Sequence, residues 1–172
     1  RLGMGYEQVA QVNDQIVYCS ITGWGGSGPM RDIPASDPPV RYLTGFHEGT
    51  GAAGEGPEGY RFAGQMDYTT GNYAAQAMIL ALLARKRTGR GQRIEITMMN
   101  ASAAVQSIRI GESLASGLRP PTLGSAAQST APDAAFLCAD SRYVGISVTS
   151  EAEWVAFCRA IERPALLEDP RF

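Results

Sequence analysis

An α/β fold built on a parallel sheet is what the sequence predicts, and three observations carry that prediction. A short amphipathic pattern over residues 6–13 runs at once into the uncharged, β-branched and aromatic segment Ile16-Val17-Tyr18-Cys19-Ser20-Ile21. A long apolar helix pattern ending at Gly89 is followed by a tight turn and a second strand, Arg93-Ile94-Glu95-Ile96-Thr97-Met98. Helices alternating with strands in this way build parallel sheets with buried strands. From residue 134 the pattern changes to two short strands and a helix, the start of a smaller α+β domain.

The elements follow in order. Tyr6, Val9, Ala10 and Val12 supply one apolar face of the first helix. After the first strand the chain turns irregular, glycine-rich and interrupted by Pro29, Pro34, Pro38, Pro39 and Pro57. Residues 40–46 form its one regular segment, a short helix. Thr69 or Thr70 is expected to cap the long helix, whose centre, Tyr73 to Ala84, is apolar on nearly all sides and so predicts burial. Arg85, Lys86 and Arg87 suit the negative end of its dipole, and Gly89 suits the left-handed position just beyond it. Asn100 is expected to cap a further helix through Ala103, Val105 and Ile108. Residues 135–137 and 143–148 read as a hairpin. Ser150-Glu151-Ala152-Glu153 is a capping box for a helix whose Trp154, Phe157, Cys158 and Ile161 share a face. The expected organisation is residues 1–113 in a large α/β domain, 114–133 as linker, and 134–172 as the beginning of a small domain.

Composition narrows the function classes. The 172 residues carry 15 Lys and Arg against 17 Asp and Glu, a net charge of −2. A mildly acidic chain without a basic block is not built to bind nucleic acid by charge. Hydrophobic residues make up 44%, which excludes disorder as the main state. Three cysteines, Cys19, Cys138 and Cys158, with no close pair argue against a disulfide framework or a zinc ribbon and read as buried small hydrophobes. One histidine, His47, cannot by itself make a metal site, and it reads as a surface or partly satisfied group beside Glu48. No apolar run reaches membrane-spanning length and no leader opens the chain, so the expected location is cytoplasmic, away from membranes. The start at Arg1 without methionine reads as a piece of something longer.

Two segments match a dinucleotide-type glycine pattern, Gly23 to Gly28 and Gly49 to Gly54. Neither is followed by the helix that would receive a pyrophosphate, so both read as turns and places of close backbone approach. Two carboxylates are more informative. Asp67 sits just before the expected start of the long helix, either as a near-cap residue or as a carboxylate stabilised by the helix's positive end and poised over a glycine-rich cleft. There it can act as a nucleophile toward an activated acyl group or as a base. Asp37, in Ala35-Ser36-Asp37-Pro38, reads as a turn or cap residue.

The order of these segments resembles the class III CoA-transferases, the family of formyl-CoA transferase and carnitine CoA-transferase. The resemblance rests on Arg1-Leu2-Gly3-Met4-Gly5-Tyr6-Glu7, Ile16 to Gly25, Asp37 to Gly51, Asp67-Tyr68-Thr69-Thr70-Gly71, and Arg87-Thr88-Gly89-Arg90-Gly91-Gln92 with Ile94-Glu95-Ile96. The tail from Ala139 to Phe172 is also similar. The resemblance implies a Rossmann-like large domain in an interlocked homodimer, with acyl-CoA and a small carboxylic acid as substrates and no tightly bound cofactor. It places the catalytic aspartate on Asp67, which would attack the thioester to give an aspartyl mixed anhydride, then carry CoA as an aspartyl thioester. It places CoA contacts on Arg1 and Leu2, and Asp37 is taken with them as a CoA-contacting residue. Family members are longer at both ends. Asp140-Ser141-Arg142 stands where Asp-Gly-Arg is usual, and Pro38, Pro39 and Glu48 are unusual near the acceptor pocket. Two alternatives accompany this reading: an acyl-CoA racemase or epimerase on the same fold, and a non-catalytic CoA-binding fragment. The racemases carry a histidine where this chain has Ser36, which weakens the first.

Overall fold

The computed structural model describes residues 2–59 and 63–170. They separate into two compact units, one drawn from Arg1–Gly49 and Pro57–Pro120, the other from Thr50–Gly56 and Pro121–Phe172.

In the first unit helix α1 (Tyr6–Val12) leads into strand β1 (Val17–Thr22). Helix α2 (Asp37–Leu43) and the long helix α3 (Gln65–Thr88) precede strand β2 (Gln92–Thr97). Helices α4 (Met98–Val105) and α5 (Ser107–Ser116) complete it. β1 and β2 pair in parallel, with Val17 opposite Gln92 and Thr22 opposite Thr97, as the helix–strand alternation predicts. The α3–β2 turn is set by two glycines. Gly89 takes φ +72° and its N–H donates to the Arg85 carbonyl, closing the helix in the left-handed cap. Gly91 passes so close to β1 that an added Cβ would stand 1.9 Å from the Ile16 carbonyl oxygen, so only glycine lets the parallel pair start there.

Several expectations are corrected. α3 begins at Gln65, ahead of Thr69 and Thr70, because a side chain from another helix satisfies its first N–H groups. Thr70 instead lies buried inside the helix, its hydroxyl donating to the Met66 carbonyl at 2.5 Å. Nor is α3 buried all round. Met66, Thr70, Ala74 and Ala81 are, whereas Ile79, Leu80 and Leu83 are each more than half exposed. The apolar composition of this helix therefore leaves a bare face, which the described residues do not cover. Asn100 does not cap α4. Thr97 does, its hydroxyl accepting from the Asn100 N–H at 3.0 Å. The helical run breaks at Gln106, whose side-chain amide donates to the Thr44 and Ser102 carbonyls. Of the cysteines only Cys158 is buried; Cys19 is half-buried and Cys138 exposed.

The core of this unit is small and lies under the start of α3. Trp24, Val40, Met66 and Met98 form it, with Met30 and Phe46 packed against it. These residues come from the loop after β1, from α2 and the turn that follows it, and from α3 and α4, so burial of apolar surface ties the irregular segment to the N-terminal end of α3.

In the second unit β3 (Asp133–Leu137) and β4 (Tyr143–Ser147) form an antiparallel hairpin followed by helix α6 (Glu151–Ala160) and a 3-10 turn over Pro164–Glu168. The capping box forms in a shifted version. The Ser150 hydroxyl accepts from the Glu153 N–H, while the Glu153 carboxylate accepts from the Thr149 N–H at 2.8 Å. In the hairpin turn Ser141 takes φ +63°, the conformation a glycine adopts without strain, and Arg142 pairs with Asp140 at 2.6 Å.

Candidate active site

Asp67 stands in the first turn of α3, three residues past the cap Gly64, not ahead of the helix. Helical phase explains its environment. Met66 points into the core at 1% exposure, and the next residue, Asp67, is carried to the exposed side. Its carboxylate faces the positive end of a 24-residue helix. Gly64 leaves space for it, since an added Cβ there would lie 3.0 Å from an Asp67 carboxylate oxygen. Tyr68 beside it is 77% exposed.

Behind Asp67 lies an interaction that the sequence reading did not anticipate. Asp37, at the first position of α2, is 5% exposed. Its Oδ2 accepts from the Met66 N–H at 2.6 Å and from the Asp67 N–H at 3.3 Å. Asp37 thus caps α3 from a neighbouring helix, which is why α3 starts early. Its Oδ1 pairs with Arg41 Nε at 2.5 Å, one turn along α2. Arg41 is 1% exposed and donates from Nη1 to the Gln65 side-chain carbonyl at 3.1 Å. Two charged side chains of α2 therefore hold the first three residues of α3. Prolines 38 and 39 sit in the first turn of α2, where their missing N–H groups have no helical partner to lose.

The segment before Asp37 is held in turn by the glycine-rich loop after β1. Gly23 lies against Ala35, an added Cβ falling 2.0 Å from the Ala35 Cβ. The Gly23 carbonyl accepts from the Met99 N–H at 3.1 Å, and the Gly26 N–H donates to the Glu95 carboxylate. Among the described residues no helix starts directly after either glycine pattern; α2 begins at Asp37 and α3 at Gln65. Ser36 caps α2 with extended backbone and makes no side-chain cap hydrogen bond.

Of the two expectations for His47, surface or partly satisfied, the surface position is corrected: the residue lies in the interior at 3% exposure, with the Tyr42 ring 5.1 Å and the Phe46 ring 5.5 Å away. Burial first, then the Arg41 cation, lower its pKa below the ordinary value, with Asp37 opposing. Folding thus favours the neutral ring. An unfolded imidazole takes up its proton below about pH 6.5. The stability contributed by the neutral ring is then full above that pH and is lost as pH falls toward the lower folded-state value. The thermal midpoint is expected to drop between pH 7 and pH 5, and to drop less in His47→Gln. An identical slope for the two in calorimetric scans would show that His47 is not responsible.

The structure thus brings Asp37 and Asp67 together through the backbone of α3. Leu2 lies in the segment before α1 at 92% exposure, and Arg1 falls outside the described residues. Arg41 and Gln65 were missed by sequence reasoning. The available signal was the i, i+4 spacing of Asp37 and Arg41 on a short helix. Among the described residues no group of three or more histidine, cysteine or acidic side chains could hold a metal ion. No helix among them is long and apolar enough to cross a membrane.

The site thus consists of an exposed carboxylate in the first turn of a long helix, whose backbone N–H groups meet a buried, ion-paired aspartate. The chain matches the model of CoA-transferase family III over residues 1–172 and belongs to that family. It is 31% identical over its full length to the acetyl-CoA:oxalate CoA-transferase of Acetobacter aceti, of which it spans 44%. It is 29% identical to the succinate–glutarate CoA-transferase of Agrobacterium fabrum, spanning 42%. Among solved structures, the CaiB/BaiF family protein of Brucella suis superposes with a TM-score of 0.84 at 29% identity, covering 99% of this chain and 44% of that one. Rv3272 of Mycobacterium tuberculosis gives 0.81 at 27%, with 99% and 44% coverage. The chain therefore spans less than half the length of the relatives it matches.

Proposed function

We propose that the protein containing this chain is a CoA-transferase that moves CoA from an acyl-CoA donor to a carboxylic acid through a covalent intermediate on Asp67. The observation that carries the reading is the exposure of Asp67 in the first turn of α3, beside a buried second carboxylate whose oxygens are taken up by Arg41 and by backbone N–H groups. An Asp67 oxygen attacks the thioester carbonyl; the C–S bond breaks and CoA leaves as thiolate, giving an acyl-aspartyl anhydride. The thiolate attacks the aspartyl carbonyl, the donor acid leaves as carboxylate, and Asp67 holds CoA as a thioester. The acceptor carboxylate attacks that carbonyl and expels the thiolate, forming a second anhydride. Attack of the thiolate on the acceptor's carbonyl frees the new acyl-CoA and regenerates the Asp67 carboxylate. No oxidant or reductant enters. The positive end of α3 favours the anion that Asp67 must be at the start and finish of the cycle. Arg1 and Leu2 are assigned to CoA, and a homodimer is proposed, consistent with the bare apolar face of α3.

The full-length enzyme, incubated with a panel of acyl-CoA donors and quenched with hydroxylamine, is expected to yield a hydroxamate on the peptide bearing Asp67. No adduct with any donor, together with solvent exchange of a donor α-proton, would move the assignment to a racemase on this fold.

A further inference from the structure

Among the described residues Asp67 makes no side-chain hydrogen bond, so within them its placement follows from its backbone. That backbone is held at one point by Asp37 Oδ2, which accepts from both the Met66 and the Asp67 N–H. A carboxylate is free to rotate about its Cβ–Cγ bond. Arg41 restricts that rotation by pairing with one oxygen, Oδ1, which keeps the other, Oδ2, directed at α3. Arg41 in turn is fixed by burial at 1% exposure and by its contact with Gln65, the first residue of the same helical turn. The cation and carboxylate therefore clamp α3 at residues 65, 66 and 67.

We propose that Asp37 and Arg41 act together as a positioning pair for the nucleophile, Asp37 through its hydrogen bonds to α3 and Arg41 by fixing the orientation of the carboxylate that makes them. The proposal rests on the reading of Asp67 as nucleophile. It also separates Asp37 from direct contact with CoA, since both of its oxygens are committed inside the protein. A nucleophile displaced by about 1 Å can lose on the order of 10²-fold in rate without loss of substrate affinity.

The test uses the full-length enzyme with the acyl-CoA donor that gives the largest wild-type adduct. The variants are Arg41→Met, Arg41→Lys and the double variant Asp37→Ala/Arg41→Met. The last has neither the acceptor nor a stranded cation. Ala81→Gly, further along α3, serves as a destabilised control distant from the first turn. All are assayed well below their own thermal midpoints, for kcat, for KM of the donor and for the rate of hydroxamate formation at Asp67. The double variant is expected to lose about 10- to 100-fold in kcat and in adduct formation. Its KM should stay within about twofold of wild type, the split that marks lost positioning rather than lost binding. Arg41→Lys, which keeps a charge without the planar fork, should fall between Arg41→Met and wild type. Ala81→Gly should lower the midpoint and leave kcat alone. Unchanged kcat in the double variant would overturn the positioning role. A raised KM with kcat preserved would overturn it too, and make Asp37 a binding residue. Failure of the underlying reading is separately visible, because the wild type itself would then form no Asp67 adduct.

Discussion

In the full-length enzyme, Asp67→Asn is expected to abolish CoA transfer while leaving the fold in place, with kcat reduced on the order of 10⁴-fold or more, the scale seen when a covalent nucleophile is removed. The argument is chemical and positional. An amide of the same shape keeps the helix start occupied but cannot form the anhydride. The side chain is exposed, so no buried partner is stranded by the change. The structural cost is the loss of a favourable charge at the positive end of α3, about 0.3–1 kcal/mol. Asp67→Glu is the complementary variant. It restores the carboxylate one methylene further out, and misplacement alone is expected to cost about 10²-fold. Steady-state rates beside a thermal melt check both. If Asp67→Asn retained more than about one hundredth of wild-type activity, the covalent route through Asp67 would be wrong.

Much of this was legible in the residues. The strand over residues 16–21 has no charge to place, and the alternating strand after Gly91 follows a cationic helix end, so the parallel pair is legible in the sequence. The hairpin and the capping box at Ser150 were equally visible, because turn and cap signals are local. The start of α3 was not local. Thr69 and Thr70 are good cap residues by type, yet the cap that matters comes from Asp37, thirty positions away from Asp67, and no window over the helix contains it. The same long-range packing of α2 on α3 hid Arg41, and His47 is buried beside the Tyr42 and Phe46 rings, where its polar type suggested otherwise. The apolar centre of α3 misled in the opposite direction. Composition shows that a face must be covered, but not whether the covering protein lies within these residues.

The energetics of the buried pair make the second large expectation. Asp37→Ala strands a guanidinium that is 1% exposed, and removing one partner of a buried ion pair costs about 3–5 kcal/mol. The same change removes the α3 cap, worth about 1 kcal/mol. Adding Arg41→Met should then stabilise the Asp37→Ala protein instead of weakening it further, because the uncompensated charge disappears and an apolar chain of similar length fills its place. The double variant should recover at least about 2 kcal/mol, leaving mainly the cost of the lost cap. Denaturant melts of wild type, the two single variants and the double variant give the coupling directly, since these side chains are in contact and their effects cannot add. Additive losses would mean that Arg41 reaches water or another anion when Asp37 is gone. Recovered stability with depressed turnover would instead separate two roles of one pair: the ion pair is dispensable for holding α2 against α3 once both charges are removed together, but its oriented carboxylate oxygen is needed to hold the two N–H groups that set the backbone of Asp67.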